Sequence, residues 1–147
     1  MMVFKGQAEY SVDSKGRVSI PAKMRGVLNP EAQNTFTITR GFEECIFLYP
    51  LDQWAEIEEA IGALNMFNPD ARTFVRAIMM WADEATLDGQ GRVTISRPLL
   101  DFADVDGRAL IIGAFDHIEI WDPDRFDEYM DQQPDDYETL AERVMNM

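Results

Sequence analysis

Two short segments near the start of the chain alternate between apolar and polar residues, as strands with one buried face do. In residues 7–12 and again in residues 17–20, every second position is apolar. Between them, Asp13-Ser-Lys-Gly16 is typical of a tight turn, because Asp accepts a backbone hydrogen bond and Gly tolerates a positive φ. The pattern predicts a β-hairpin in which Val18 and Ile20 point inward.

The turn and its return strand occur twice in the chain. Asp13-Ser-Lys-Gly-Arg-Val-Ser-Ile20 is matched 75 positions later by Asp88-Gly-Gln-Gly-Arg-Val-Thr-Ile95. A second match, at an offset of 72, aligns residues 41–54 with residues 113–126. Such self-similarity indicates a duplicated module. Because a module of about 50 residues buries too little apolar surface to be stable alone, we expect the copies to pack on each other or on other subunits.

Each copy is predicted to contain two strands, a short helix and two further strands. In the first copy the short helix runs from Pro21 to Leu28, and the later strands are residues 35–39 and 45–49. Helical spacing then predicts one helix over residues 50–64 and another over residues 68–83. The second of these helices is apolar over a broad arc, so we expect it to pack between modules or between subunits.

This pattern divides the chain into four segments: a basic first module, a helical linker, a second module, and an acidic C-terminal helix with a polar tail. In the same order, they are residues 7–54, 55–82, 83–126 and 127–147.

Composition indicates a globular protein from a reducing compartment. The chain has 147 residues, 46% hydrophobic and 27% charged, which is ordinary for a soluble domain. Its one cysteine, Cys45, excludes an intramolecular disulfide framework, and residues 1–6 lack the apolar run of a signal peptide. No stretch approaches the roughly 20 apolar residues of a membrane span. We expect a cytoplasmic protein without a membrane partner.

The net charge of −14 argues against nucleic acid until its distribution is considered. Residues 1–40 contain six cations and three acids, whereas the remainder contains seven cations and 24 acids. A basic first module on an acidic body can still present one attractive face to DNA.

Several motifs together resemble a known family. Both Asp-x-x-x-Arg turns, together with the segment Ile20-Pro-Ala-Lys-Met-Arg25, resemble the SpoVT/AbrB-type swapped-hairpin module. Two such modules in a chain of this length, with Val3-Phe-Lys-Gly6, residues 48–54 and Ile120-Trp-Asp122, resemble the MraZ family of transcriptional regulators. The resemblance covers roughly residues 1–129. It implies an α+β, mainly β fold of tandem duplicated swapped-hairpin AbrB-like β-barrel modules with connecting helices.

The resemblance also implies a function. Members of the family bind double-stranded DNA and repress the division and cell-wall gene cluster, acting at tandem direct repeats upstream of their own gene. It further implies a closed homo-oligomeric ring with the basic hairpin faces on one rim, nucleoid association and no cofactor.

Arg17 is the leading candidate for DNA contact, since it lies at an outward position where a guanidinium can reach a phosphate or a guanine edge. An Asp13–Arg17 ion pair that braces the turn is the alternative, and the two roles are compatible. Lys15, at the tip of the turn, would contact phosphate. Lys23 and Arg25 on the short helix extend the same face or are ordinary solvated surface. A further candidate, with weaker support, is Lys5.

The second turn retains the Asp–Arg pair but not its cationic neighbours. The positions equivalent to Lys15, Lys23 and Arg25 are Gln90, Pro98 and Leu100, although Arg97 adds a cation nearby. We therefore interpret Asp88–Arg92 as a turn brace, with Arg92 a secondary DNA contact. The turn-bracing residues are Asp13, Gly16, Asp88 and Gly91.

Enzymatic functions find little support. The only histidine, His117, aligns with Cys45, which indicates packing or rim positions for both. No metal-ligand spacing and no convincing nucleophile–base set is present, so we predict no catalytic residue and no metal. A second hypothesis, from another class, is a protein–protein assembly or antitoxin-like module on the same fold, which would not need the cations of residues 1–40.

Overall fold

Strands from the two copies of the repeat are interleaved in the computed structural model, which describes residues 3–147. A short 3₁₀ turn at Pro30–Ala32 connects the first short helix of the chain to its third strand. The strands are β1 (Gln7–Ser11), β2 (Arg17–Ser19), β3 (Thr35–Arg40), β4 (Ile46–Pro50), β5 (Asp83–Thr86), β6 (Arg92–Thr94), β7 (Arg108–Gly113) and β8 (Ile118–Trp121). The helices are α1 (Ala22–Arg25), α2 (Leu51–Gly62), α3 (Pro69–Met79), α4 (Arg97–Phe102), α5 (Pro123–Asp131) and α6 (Tyr137–Met145).

One antiparallel sheet takes strands from both copies, in the order β1-β7-β8-β4-β3-β5. At one edge, β1 of the first copy pairs with β7 of the second, so that Gln7 lies opposite Ile112 and Ser11 opposite Arg108. At the other edge, β5 of the second copy pairs with β3 of the first. Each copy therefore gives its first strand to the other copy.

The prediction that residues 7–12 and 17–20 pair as a simple hairpin is correct only at the turn and wrong for the two strands. The Asp13 N–H does donate to the Arg17 carbonyl oxygen at 3.1 Å. Past that bond the strands separate, because β1 pairs with β7 while β2 forms a two-stranded antiparallel ribbon with β6. The α+β fold with swapped hairpins is confirmed, and the exchange occurs within a single chain.

Each turn is hydrogen-bonded to the strand of the other copy. The Ile20 N–H donates to the Gly91 carbonyl oxygen at 3.0 Å, and the Ile95 N–H donates to the Gly16 carbonyl oxygen at 2.8 Å. Both glycines have a positive φ, +79° at Gly16 and +74° at Gly91. A side chain is strained in that conformation, so these two carbonyl groups reach the opposite copy only because the residues are glycines.

The ribbon closes the main apolar core. Val18 and Val93 lie opposite each other in the ribbon, and each is 1% exposed. Ile20 and Ile95 are also buried, which confirms that Val18 and Ile20 point inward. The core residues opposite the ribbon are Phe36, Ile38, Ile46, Leu48, Ala109, Ile111, Ile118 and Ile120. Because both copies supply these residues, neither copy could bury this core alone.

A second apolar cluster lies on the other face of the sheet, beneath the helices. It combines Phe47 and Tyr49 of β4 with Trp54 of α2, Ile78 of α3 and Trp121 of β8. Since alternate residues of β4 enter the two clusters, this strand is buried on both faces and is apolar throughout.

The linker helices end earlier than predicted. Asn68 caps α3 as expected, because its side-chain oxygen accepts the Asp70 N–H at 2.8 Å. The helix ends at Met79 rather than near Asp83, since Asp83 already pairs with Ile38 as the first residue of β5. Within one chain Phe74 remains 42% exposed. Packing of this face between subunits stays a prediction.

The C-terminal helix packs little against the rest of the chain, since α6 contains no buried residue. None of the helices in residues 3–147 combines the length and apolar character that a bilayer crossing requires.

We predict that Gly16→Ala destabilises the fold, by about 1–3 kcal/mol from the positive φ alone. A Cβ at Gly16 would also collide with the carbonyl oxygen of Ile95, which is backbone and cannot move aside cheaply. The control is Gly89→Ala, where a Cβ meets no atom within 4 Å and φ is not positive. Urea unfolding followed by circular dichroism measures both variants, and equal stability of the two would contradict the strained turn.

Candidate nucleic-acid interface

The first Asp-x-x-x-Arg turn is a closed hydrogen-bond network. One carboxylate oxygen of Asp13 accepts the backbone N–H groups of Lys15 and Arg17, each at 2.9 Å. The other oxygen accepts the Nε–H of Arg17 at 2.6 Å. The Gly16 N–H donates to the Asp13 carbonyl oxygen at 3.0 Å. One side chain thereby accepts three hydrogen bonds from the residues of a single tight turn.

The second turn repeats this network. Asp88 accepts the N–H groups of Gln90 and Arg92 at 2.9 and 3.0 Å, and the Arg92 Nε–H at 2.9 Å. The Gly91 N–H donates to the Asp88 carbonyl oxygen at 3.0 Å. Asp88 and its turn therefore have the same internal hydrogen bonds as Asp13 and its turn.

Both aspartates are held in the ionised form. The backbone N–H of Arg17 is the main cause that lowers the pKa of Asp13, and the Arg17 side chain and the Lys15 N–H act in the same direction. The backbone N–H of Arg92 likewise lowers the pKa of Asp88. Each carboxylate offsets the charge of its own arginine, so the positive character of this surface depends on additional cations.

The two arginines lie on one face of the β2–β6 ribbon. Arg17 is opposite Thr94, and Arg92 is opposite Ser19. Residues directly opposite each other in an antiparallel pair share a face, and Val18 and Val93 occupy the buried face. Sequence reasoning assigned the arginines to separate modules, with the first as the main contact. Strand exchange instead brings both arginines to a single exposed surface, which we call the ribbon face.

Each aspartate binds one nitrogen of its arginine, which orients the guanidinium group and leaves its other two nitrogens unbonded to the carboxylate. In both pairs the hydrogen bond uses Nε, and among residues 3–147 the two terminal nitrogens of Arg17 and Arg92 have no hydrogen-bond partner. Two parallel N–H donors per arginine are therefore free, which is the arrangement that binds phosphate or a guanine edge bidentately.

Of the three lysines predicted as DNA contacts in the first copy, two lie near the ribbon face and one does not. Lys15 is exposed at the tip of the first turn, and Lys23 is exposed on α1 directly after β2. Lys5 lies beyond the other end of β1, beside the β7–β8 loop, where the Phe4 N–H donates to the Phe115 carbonyl oxygen at 2.7 Å. A strand of β1's five residues spans roughly 16 Å, so Lys5 is separated from the first turn.

Arg25 was expected to extend the face of the first turn, and it lies against the second turn instead. Its Nε–H donates to the Ile20 carbonyl oxygen at 2.9 Å, and its guanidinium covers Gly91. The swap of the ribbon produces this result, because the helix that follows β2 reaches the turn that precedes β6.

The reciprocal helix, α4, lies beside the first turn. Arg97 and Leu100 border a concavity of about 110 Å³ together with Asp13 and Ser14. Arg97 was noted from the sequence as a cation near the second turn and was not a predicted contact, whereas the structure places it beside the first turn. Its Nη1 is 3.9 Å from an Asp101 oxygen, a weak ion pair on an exposed surface.

His117 and Cys45 lie away from the ribbon face, in the sheet and its loops. Burial opposes the charged form of His117, but hydrogen bonds from its ring to Glu119 and Asp116 outweigh this and raise its pKa. The ring packs 4.5 Å from that of Phe47, measured between centroids. Burial raises the pKa of the Cys45 thiol, which is fully buried. Packing or rim positions were predicted for both residues, and their burial and ring contacts correspond to packing.

Comparison with known proteins gives a consistent result over the whole chain. Residues 3–77 and 78–146 each match the family described as "MraZ protein, putative antitoxin-like". The chain is 38% identical over 144 residues to the transcriptional regulator MraZ of Natranaerobius thermophilus, covering 98% of both chains. It is 37% identical over 144 residues to that of Moorella thermoacetica, with 98% of both chains covered. Against that of Desulforamulus reducens it is 34% identical over 145 residues, with 99% of both covered.

We predict that Asp13→Asn lowers the melting temperature at neutral pH, because the amide cannot form the ion pair with Arg17. The folded-state pKa of Asp13 is depressed, so its contribution is present above the unfolded pKa of about 3.9 and is lost as pH falls below it. The gap between wild type and variant should therefore close in acid. Thermal unfolding between pH 3 and 7 measures this gap.

The control for that experiment is Asp106→Asn. Asp106 borders the concavity between the first turn and α4, as Asp13 does, but it makes no hydrogen bond or ion pair with any residue in the described part of the chain. Its replacement should leave the melting temperature unchanged. A pH-independent gap for Asp13→Asn would contradict the role of the ionised carboxylate.

Proposed function

We propose that this chain, which belongs to the MraZ family, is a transcriptional regulator that binds double-stranded DNA through the ribbon face. The observation that carries the proposal is the pair of turn arginines, Arg17 and Arg92, on one exposed face with their terminal nitrogens free. The curated relatives named above are transcriptional regulators, in agreement with this role, and we propose no enzymatic activity.

The shape of the ribbon suits a DNA groove. A two-stranded β-ribbon fits the major groove of B-DNA, where arginine can read guanine through its O6 and N7 atoms. Because Asp13 and Asp88 fix the Nε sides of the two guanidinium groups, the free donors are oriented before binding. Pre-organised donors lose less conformational entropy on binding. Lys15 and Lys23, both exposed, would contact phosphates beside the groove.

The acidic remainder of the chain supports one orientation on DNA. With a net charge of −14, most of the surface repels phosphate. The cations at or near the ribbon face are Lys15, Arg17, Lys23, Arg25, Arg92 and Arg97. Repulsion elsewhere would leave this face as the productive contact. Lys5, at the far end of β1, would contribute little.

The finer proposal concerns target and assembly. We infer a cytoplasmic, nucleoid-associated repressor that acts on the division and cell-wall gene cluster at tandem direct repeats of its own promoter, as an oligomeric ring. Several subunits on phased repeats add their contacts through effective concentration, which compensates for the few cations of each subunit. Exposed apolar side chains on α3, with Phe74 at 42% and Met79 at 40%, support association of subunits.

The alternative is an assembly or antitoxin-like module that uses the same fold without DNA. The family description contains the words "putative antitoxin-like", and this is the observation that supports the alternative function. The two functions differ in what they require of the ribbon face, because a protein–protein module has no use for free arginine donors aimed at phosphate or guanine.

We predict that Arg17→Ala weakens binding to a duplex from upstream of this chain's own gene by about ten-fold or more. Loss of a bidentate arginine contact costs about 1–3 kcal/mol. Fluorescence anisotropy at fixed salt measures the affinity, and Arg92→Ala measured in parallel tests whether the second turn also makes contact. Arg143→Ala is the control, because it removes one cation from α6 at a site paired with Asp135. Wild-type affinity in Arg17→Ala would refute the assignment.

We predict that a variant with Lys15, Arg17, Lys23 and Arg25 all replaced by alanine keeps the oligomeric state and loses DNA binding. The apolar faces proposed for assembly are on the helices, remote from the ribbon face. Light scattering coupled to size exclusion, with and without the duplex, measures both properties. Retained DNA binding would favour another interface, and loss of the oligomer without DNA would show that assembly itself uses the ribbon face.

A further inference from the structure

The sequence around the second turn lacks the cations that surround the first turn, but in the folded chain a cation lies beside the second turn as well. Gln90, Pro98 and Leu100 replace the three basic residues that accompany Arg17. Yet a cation does border the second turn, since Arg25 of the first copy lies against Gly91. The first copy therefore places a cation, Arg25, beside the turn of the second copy, which has no equivalent cation of its own.

Arg25 is held in a defined position. Its Nε–H donates to the Ile20 carbonyl oxygen at 2.9 Å. A Cβ built on Gly91 would lie 2.7 Å from both Nε and Cζ of Arg25, and 2.9 Å from Nη1. The guanidinium thus lies against the glycine, in space that the Cβ of any other residue would need. Among residues 3–147 its two terminal nitrogens have no hydrogen-bond partner, so they remain available as donors.

The surface next to this guanidinium is concave and carries one acid. The concavity has a volume of about 400 Å³ and is bordered by Arg25, Asp88, Gly91 and five other uncharged residues. The single carboxylate, Asp88, is already engaged by Arg92 and by two backbone N–H groups. The unsatisfied charge at this concavity is therefore positive, which favours an anion.

We propose that Arg25 completes a composite phosphate-binding site at the second turn, where it contacts the DNA backbone together with Arg92 and not with Arg17. The site rests on the proposed function, because its ligand is a backbone phosphate of the bound duplex. It assigns the second turn a direct role in DNA binding, built from residues of both copies.

A purely structural role for Arg25 is the competing explanation, and the first turn argues against it. At the equivalent place, Leu100 packs against Gly16, with its Cδ1 3.4 Å from a Cβ built there. A leucine thus covers the glycine of an otherwise identical turn. Packing alone does not require a guanidinium at position 25.

The experiment compares Arg25→Leu with wild type. This variant imitates the first turn, so its melting temperature should stay near that of wild type while its DNA affinity falls about ten-fold. The slope of log K against log salt should decrease in magnitude by about 0.9 for each engaged subunit. Arg143→Leu is the matched control for loss of one cation, and both its affinity and its slope should be unchanged. An unchanged slope in a folded Arg25→Leu overturns the proposal.

A phosphate-resolved measurement tests the composite arrangement. In ethylation interference, the phosphates whose contribution is lost in Arg25→Leu should coincide with those lost in Arg92→Ala. Coincidence with those lost in Arg17→Ala instead overturns the assignment to the second turn. If Arg25→Leu fails to fold, Arg25→Gln removes the charge while keeping a donor for the Ile20 carbonyl, and the same result is expected. Failure of wild type to bind the duplex would count against the proposed function as a whole.

Discussion

The fold depends on the pairing of β2 with β6. Two backbone hydrogen bonds, from Ile20 to Gly91 and from Ile95 to Gly16, join each turn to the opposite copy. Val18 and Val93 meet beneath them in the core. If the ribbon opened, each copy would expose the valine and isoleucine that the other now covers. Since a single copy is too small to bury them, the interleaved arrangement buries the apolar residues of both halves within one chain.

The same pairing creates the ribbon face. In an unswapped pair of modules Arg17 and Arg92 would belong to separate surfaces. Antiparallel exchange gives them a common face, and the aspartate brace leaves only the outer donors of each guanidinium free. Core stability and the orientation of the candidate DNA contacts therefore have one cause. A change that weakens the ribbon should disturb both, whereas removal of an outer cation should disturb binding alone.

Sequence reasoning was reliable where the physical signal is local. Alternation identified the buried faces of Val18 and Ile20, the Asp–Gly pattern identified both turns, and Asn68 marked the start of α3. It failed where partners are distant. Alternation states which face of a strand is buried but not which strand pairs with it, so only the family resemblance, and not the pattern itself, implied the exchange of β1 and β5. Arg25 was assigned to the wrong turn for the same reason, and the apolar pattern could not show that β5 begins at Asp83.

Duplication within one chain has a consequence that a symmetric dimer could not have. In a dimer of identical modules both turns must carry the same neighbours. Here the two positions diverged: Leu100 covers Gly16, and Arg25 covers Gly91. The concavity beside the first turn is therefore bordered by Arg97 and two aspartates, and the one beside the second turn by Arg25 and a single aspartate. Lys15 stands at the tip of the first turn and the uncharged Gln90 at that of the second, whereas Arg25 lies beside the second turn, so each end of the ribbon face has a different cation. The ribbon face therefore has two turns with the same internal hydrogen bonds but different neighbours, an asymmetry that a duplicated module in one chain permits and a dimer of identical modules does not.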